Sequence, residues 1–146
     1  KIVVGWAVPP DRMLEFPCAP TVKDLLKDPL VKNALNQAWS DSQTGTKNYH
    51  EEGGWIYANN NNNSLTIIRA APGTSNSMPS MRTDMTPMVL GSRLVAWFHT
   101  HPRGTPSPSE ADKRVTKALG VPGITKYNRN GTFTIGPNRR PCFESG

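Results

Sequence analysis

Two histidines, a serine and an aspartate lie within fourteen residues of one another. They occur in His99-Thr100-His101-Pro102, then a seven-residue run from Pro102 to Pro108, then Ser109-Glu110-Ala111-Asp112. Imidazole and carboxylate are donor types that hold a divalent metal such as zinc. Residues 93–100, RLVAWFHT, form a short apolar run rich in side chains suited to a pleated surface, which predicts a buried strand. Strand alternation turns His99 and His101 to one face with their stems roughly 7 Å apart, and turns Thr100 away. Imidazoles leaning inward from there can share one cation at about 2.0–2.1 Å. The following PRGTPSP carries three prolines and a glycine, so a stiff loop is expected. Ser109 then opens a helix in which Val115, Ala118 and Leu119 share a face with Asp112, and Gly120 stands at the C-terminal cap position. Strand, loop and helix start bring His99, His101 and Asp112 toward one point, with a fourth position left for water.

Ser109 and Asp112 also have the form of a helix capping box. The two roles are compatible, because the helix N-terminus keeps a carboxylate ionised. A metal-bound water, whose pKa zinc can bring to about 7, calls for a base. Among eleven acidic residues, the pair in Glu51-Glu52-Gly53-Gly54-Trp55-Ile56-Tyr57 stands out, since the glycines would admit another backbone or a substrate. A solvated acidic turn before a hairpin is the competing reading. Strand neighbours face opposite ways, so only one of Glu51 and Glu52 can reach the water. His50 is expected to be solvated or to cap. With three histidines in the chain, multi-histidine phosphoesterase sites of the PHP type lack their ligands.

An upstream glutamate, His-Thr-His-Pro, the seven-residue run, Ser109 and Asp112 together resemble the JAMM motif of the JAB/MPN metalloprotease superfamily. The EEGGWIY stretch is similar to JAB-like domains at the C-terminal ends of bacterial polymorphic toxins, including the RHS type. The match spans roughly residues 51–119, about half of the chain. The resemblance implies a cytidine deaminase-like core and one Zn2+ on His99, His101 and Asp112 with a catalytic water. It implies Glu51 as acid/base, because family members place this glutamate three positions before the glycine of the first strand, here Gly54. Ser109 would help hold the oxyanion. The implied reaction is hydrolysis of a peptide or isopeptide bond in a protein or peptide substrate, as in a deubiquitinase. Inactive members lose motif residues, and none is lost here. A toxin or effector domain of this kind would be secreted or delivered into a target cell as part of a larger protein and would meet an immunity protein. The alternative is a non-catalytic module of the same fold, docking through its basic C-terminal third.

The elements that must carry these residues are legible in outline. A chain of 146 residues is the size of one domain, able to bury about two-thirds of its unfolded surface, and residues 1–146 are taken as a single unit with 1–20 an extended arm. Fourteen prolines and twelve glycines imply many loops. Residues 22–39 predict helix, with a short piece at 22–27, an Asp28 cap and Pro29 in the first turn; Leu30, Val31, Ala34, Leu35 and Ala38 form its apolar face. Residues 55–58 and 65–70 predict a hairpin around the asparagine run 59–63, and 124–127 with 132–135 a second hairpin around Asn130-Gly131. Residues 71–87 form a long connection that is expected to flank the cleft. Trp6, Trp39, Trp55 and Trp97 are expected in the core. The sum is an α+β fold, a small mixed β-sheet flanked by helices.

The net charge of +6 concentrates in Lys113, Arg114, Lys117, Lys126, Arg129, Arg139 and Arg140. An acidic partner and a merely solvated face both fit this charge. No interleaving of aromatic and basic residues resembles a nucleic-acid module, so nucleic acid is not expected as a partner. Cys18 and Cys142 lack a CxxC partner and make no second metal site; they either pair or stay as buried thiols. The IVVGWAVPP start is too short to span a membrane and has no export-signal pattern.

Overall fold

The computed structural model describes residues 18–137; Trp6, Arg139, Arg140, Cys142 and nearly all of the expected arm lie outside the described residues. Thr21 caps helix α1 (Val22–Lys27) through a reciprocal box with Asp24. Asp28 closes that helix and opens α2 (Pro29–Asp41), its side chain accepting from Leu30 N, with proline at the first turn where the missing N–H costs nothing. Val31, Leu35 and Ala38 are buried on α2 and Ala34 partly so, but Leu30 is 47% exposed. Leu30 stands about 100° around the axis from the buried Val31, off the stripe that Val31, Leu35 and Ala38 bury, so it is not part of the apolar face.

Five strands form one mixed sheet in the order β2-β1-β3-β4-β5: β1 (Gly53–Asn59), β2 (Leu65–Arg69), β3 (Ser92–Thr100), β4 (Gly123–Lys126) and β5 (Thr132–Ile135). All neighbours are antiparallel except β3 and β4. A parallel pair needs a crossover, and α3 (Glu110–Leu119) supplies it. The protein is thus α+β, with both expected hairpins present.

Each face of the sheet has its own core. On one, Leu25, Val31, Leu35 and Ala38 pack against Ile56, Ala96, Phe98 and Ile124; on the other, Trp55, Tyr57, Trp97 and Val121 meet Val115 and Leu119 of α3. Trp39 is only half-buried. Ala118 is exposed, and the inward positions of α3 are Asp112 and Thr116. Trp97 Nε1 donates to Thr116 Oγ1 at 3.0 Å, so a polar contact anchors the helix where an apolar stripe was expected. Across β3 the alternation is interrupted once. Ile56 pairs with Ala96 and Tyr57 with Leu94, and this bulge at Val95 lets both Val95 and Ala96 face the α1–α2 core while Leu94 and Trp97 face α3.

The double glycine serves the sheet itself. A side chain on Gly53 would collide with the carbonyl oxygen of Phe98 and meet His99 Cα at 3.1 Å. Gly53 pairs with His99 in the β1–β3 register, so another backbone, not a substrate, occupies the space the glycine leaves. Gly53→Ala is therefore expected to destabilise the fold by roughly 1–3 kcal/mol, the range for overpacking a tight interior. Urea unfolding checks this, and an unchanged midpoint would contradict the close packing of β1 on β3.

Candidate metal centre

β3 delivers His99 and His101 to the α3 face, and Thr100 between them turns the other way, its hydroxyl 2.6 Å from Ser42 Oγ. After His101 the chain makes a tight turn closed by Gly104 N to His101 O at 2.9 Å, with Gly104 at φ 84°, a conformation that glycine adopts without strain. Ser109 then starts α3. The capping box is complete, Asp112 N donating to Ser109 Oγ at 3.0 Å and Ser109 N donating to Asp112 Oδ2 at 2.9 Å.

These elements bring three ligand atoms together. His99 Nε2 lies 3.1 Å from His101 Nε2 and 3.0 Å from Asp112 Oδ1, and His101 Nε2 lies 3.1 Å from Asp112 Oδ2. Ligands at zinc distances in a tetrahedron would stand about 3.3–3.4 Å apart; the two imidazole nitrogens, 3.1 Å apart, are near that spacing, and the carboxylate turns one oxygen to each of them. The donor chemistry agrees. Thr105 O lies 2.9 Å from His101 Nδ1, and a carbonyl can only accept, so Nδ1 carries the proton and Nε2 presents its lone pair to the cluster. His99 is 1% exposed and stacks on Trp97 with ring centroids 4.8 Å apart. Two neutral imidazoles and a buried carboxylate leave a net negative charge that favours a cation. His99, His101 and Asp112 could therefore hold one metal ion.

The electrostatics of the metal-free chain follow from this packing. Burial would raise the Asp112 carboxyl, but hydrogen bonds from His101 and His99, the His99 charge and the Ser109 N–H hold it far below the usual range. Burial pushes His99 down. Burial also works against charge on His101, yet its hydrogen bonds to Asp112 and the Thr105 carbonyl raise it overall.

The two adjacent acids part company. Glu51 faces the cluster, its Oε1 4.0 Å from His99 Nε2, and burial pushes its carboxyl up to about 7. Glu52 turns to the opposite side, where Arg69 donates to its Oε1 at 2.6 Å and His50 Nε2 to its Oε2 at 2.6 Å. Arg69 also holds Asp41 at 3.0 Å and donates to Gly53 O at 3.3 Å. His50, expected to be solvated or capping, is half-buried in this network with an acceptor at each ring nitrogen, and the Asn48 carbonyl is the main cause of its raised pKa. No composition signal marks Arg69; the signal is register, since Arg69 pairs with Gly54 across the first hairpin.

Glu51, His101 and Ser109 open on one cleft of about 270 Å³, with Ser75 and Asn76 of the long connection on its rim. The connection therefore flanks the cleft as expected. It is tied there by Glu51 N donating to Thr74 O and Gly73 N to Glu51 O, both at 2.8 Å. Cys18 is disulfide-bonded, and the expectation for Cys142 falls outside the described residues. Among the described residues no helix is long and apolar enough to cross a membrane.

Comparison with known proteins gives two findings. The Prok-JAB family, the prokaryotic homologs of the JAB domain, matches residues 32–140. The structure is similar to that of a JAB1/MPN domain protein from Archaeoglobus fulgidus, at 14% identity and a TM-score of 0.44, covering 76% of this chain and 90% of that one. No curated protein sequence matches.

The pKa shifts predict how metal-free protein responds to pH. Glu51, raised by burial, stabilises the fold less as pH rises from the ordinary glutamate value toward 7, because the unfolded chain ionises first. His101, raised by its partners, contributes stability at low pH that is lost as pH climbs through its folded value. Asp112, lowered, adds stability above the ordinary carboxylate range that disappears in acid. Chelated protein should therefore lose stability between pH 5 and 7.5, with roughly 2 kcal/mol of the loss due to Glu51. Denaturant unfolding across that window is expected to flatten in Glu51→Gln, and an equally steep decline in the variant would contradict the burial of this carboxyl.

Proposed function

The chain belongs to the prokaryotic JAB family, and on that premise we propose that it is a zinc-dependent hydrolase of peptide or isopeptide bonds. One observation carries the reading: two imidazole nitrogens 3.1 Å apart, each 3.0–3.1 Å from its own oxygen of the Asp112 carboxylate, beside a buried glutamate that faces them. A module that only docked would bear the burial cost of these charges without using them.

His99, His101 and Asp112 would hold the metal, which when bound supplies a Lewis acid and lowers the pKa of water to about 7. Glu51 stands beside the ligand set and not within it, at 4.0 Å from His99 Nε2. It takes the proton of the attacking water at Oε1 and returns it to the leaving nitrogen. Ser109 Oγ accepts from Asp112 N, which leaves its O–H to donate to the oxyanion that develops on the substrate. His101 keeps its lone pair aimed inward because the Thr105 carbonyl holds the proton on Nδ1.

A toxin or effector setting, with delivery as part of a larger protein and an immunity partner, is supported by the likeness of residues 51–57 to toxin-borne domains and by a net charge of +6 that suits an acidic inhibitor. Growth arrest on expression in a bacterial cytosol, relieved by Glu51→Gln, is the outcome expected of it.

For the enzyme itself, zinc-loaded protein is assayed against linked ubiquitin chains, unfolded protein and peptidoglycan peptides. At least one class should be cut, and Glu51→Gln should lower kcat about 10²–10⁴-fold with zinc content retained. His99→Ala and Asp112→Ala should lower the zinc content of purified protein. Unchanged turnover in Glu51→Gln would remove Glu51 from the mechanism, and failure to cut any of the three would favour the docking module.

A further inference from the structure

Arg103 stands in the loop two residues after His101 and borders both the cleft of Glu51, His101 and Ser109 and an adjoining depression that it shares with Tyr49. Its backbone is fixed on both sides: Thr44 Oγ1 donates to Pro102 O at 2.7 Å, and the turn from His101 closes through Gly104 N. Its side chain is fixed too, with Nε donating to Tyr49 Oη at 3.0 Å and the guanidinium carbon 5.5 Å from the Tyr49 ring centroid. Two other arginines satisfy the fork with carboxylates. Arg69 spans two carboxylates and Arg82 pairs with Asp84, whereas among the described residues no carboxylate lies within ion-pair reach of Arg103. An aromatic ring and a phenol orient the exposed guanidinium through Nε and leave both Nη groups facing solvent. Apart from Glu51, no acid lines the cleft. A held, unpaired guanidinium is prepared for a planar anion, and carboxylate is the anion it matches in a bidentate fork.

We propose that Arg103 binds a carboxylate on the substrate residue flanking the scissile amide, so that the cleft selects acidic peptides. This rests on the peptide-hydrolase reading for turnover but not for binding. The cleft of about 270 Å³ has room for one or two residues, so the carboxylate recognised is local: an Asp or Glu side chain, or the free α-carboxylate of a chain end.

The test uses zinc-loaded Glu51→Gln protein and fluorescent tetrapeptide pools with Glu, Gln or Lys at one fixed position, each made with a C-terminal amide or a free carboxylate. Fluorescence anisotropy should show the Glu pool, or the free-acid pool, binding about tenfold more tightly than its uncharged counterpart, the scale of a hydrogen-bonded charge at a partly exposed site. Which of the two is preferred identifies the source of the carboxylate. Arg103→Ala should equalise the pools, Arg103→Lys should restore part of the preference, and Arg103→Glu should invert it toward Lys. Equal binding of charged and uncharged pools, or a preference that survives Arg103→Ala, overturns the proposal. Parallel turnover by the unmodified chain separates the two claims: Arg103-dependent selection in binding with no cleavage defeats the hydrolase reading alone.

Discussion

A single chain of hydroxyl hydrogen bonds ties the end of β3 to the entry of β1 and to α2. Glu52 N donates to Thr100 Oγ1 at 3.0 Å, Thr100 Oγ1 lies 2.6 Å from Ser42 Oγ, and Ser42 Oγ donates to Ala38 O at 2.9 Å. The directions are forced, since an amide at one end can only donate and a carbonyl at the other can only accept. Thr100 N returns a bond to Glu52 O at 2.8 Å. All three hydroxyl-bearing contacts are buried, where an unmatched partner would be costly. The residue between the two histidines is therefore what locks the Glu51–Glu52 peptide in place, and every other feature of the site is measured from that lock.

From it follows the division of labour between the acids. With Glu52 pinned by its own amide and carbonyl, its side chain lies under Arg69 and His50, and Glu51 must take the face of His99. The long connection fixes Glu51 from the other side through residues 73 and 74. A carboxylate buried beside another carboxylate is unfavourable when both are ionised, and the fold meets that conflict by giving Asp112 two imidazoles and a helix N-terminus while leaving Glu51 with burial as its dominant influence. Two neighbouring acids thereby acquire different proton affinities, a separation on which the proposed division into ligand and proton carrier relies.

Much of this was legible before any coordinates. The α3 capping box, the Asp28 cap, both hairpins and the β3 strand follow from local signals, because caps and turns are set by residues within four positions of each other. The close approach at Gly53 was legible as a need for space, though not what fills it. Leu30 and Ala118 belong to apolar stripes in the sequence yet are exposed, since periodicity gives a stripe without saying which of its edges meets the sheet. The bulge at Val95 left no trace in RLVAWFHT, because a bulge concerns the pairing of two strands and only one is in view.

By itself the sequence determined which residue types could meet: two imidazoles one alternation apart, a stiff loop, and an aspartate that its own helix start keeps ionised. Those are short-range facts, fixed by strand pleat, proline and helix dipole. Only the tertiary structure decided which of two neighbouring glutamates faces the cluster, that Thr105 orients His101, and that Arg103 is held by Tyr49 without a carboxylate partner among the described residues. The first and last depend on partners brought from other parts of the chain, Arg69 across a hairpin and Tyr49 from the segment before β1, while the Thr105 carbonyl needs the turn after His101 to bring it round. Such pairings are chosen by packing, which no local pattern records.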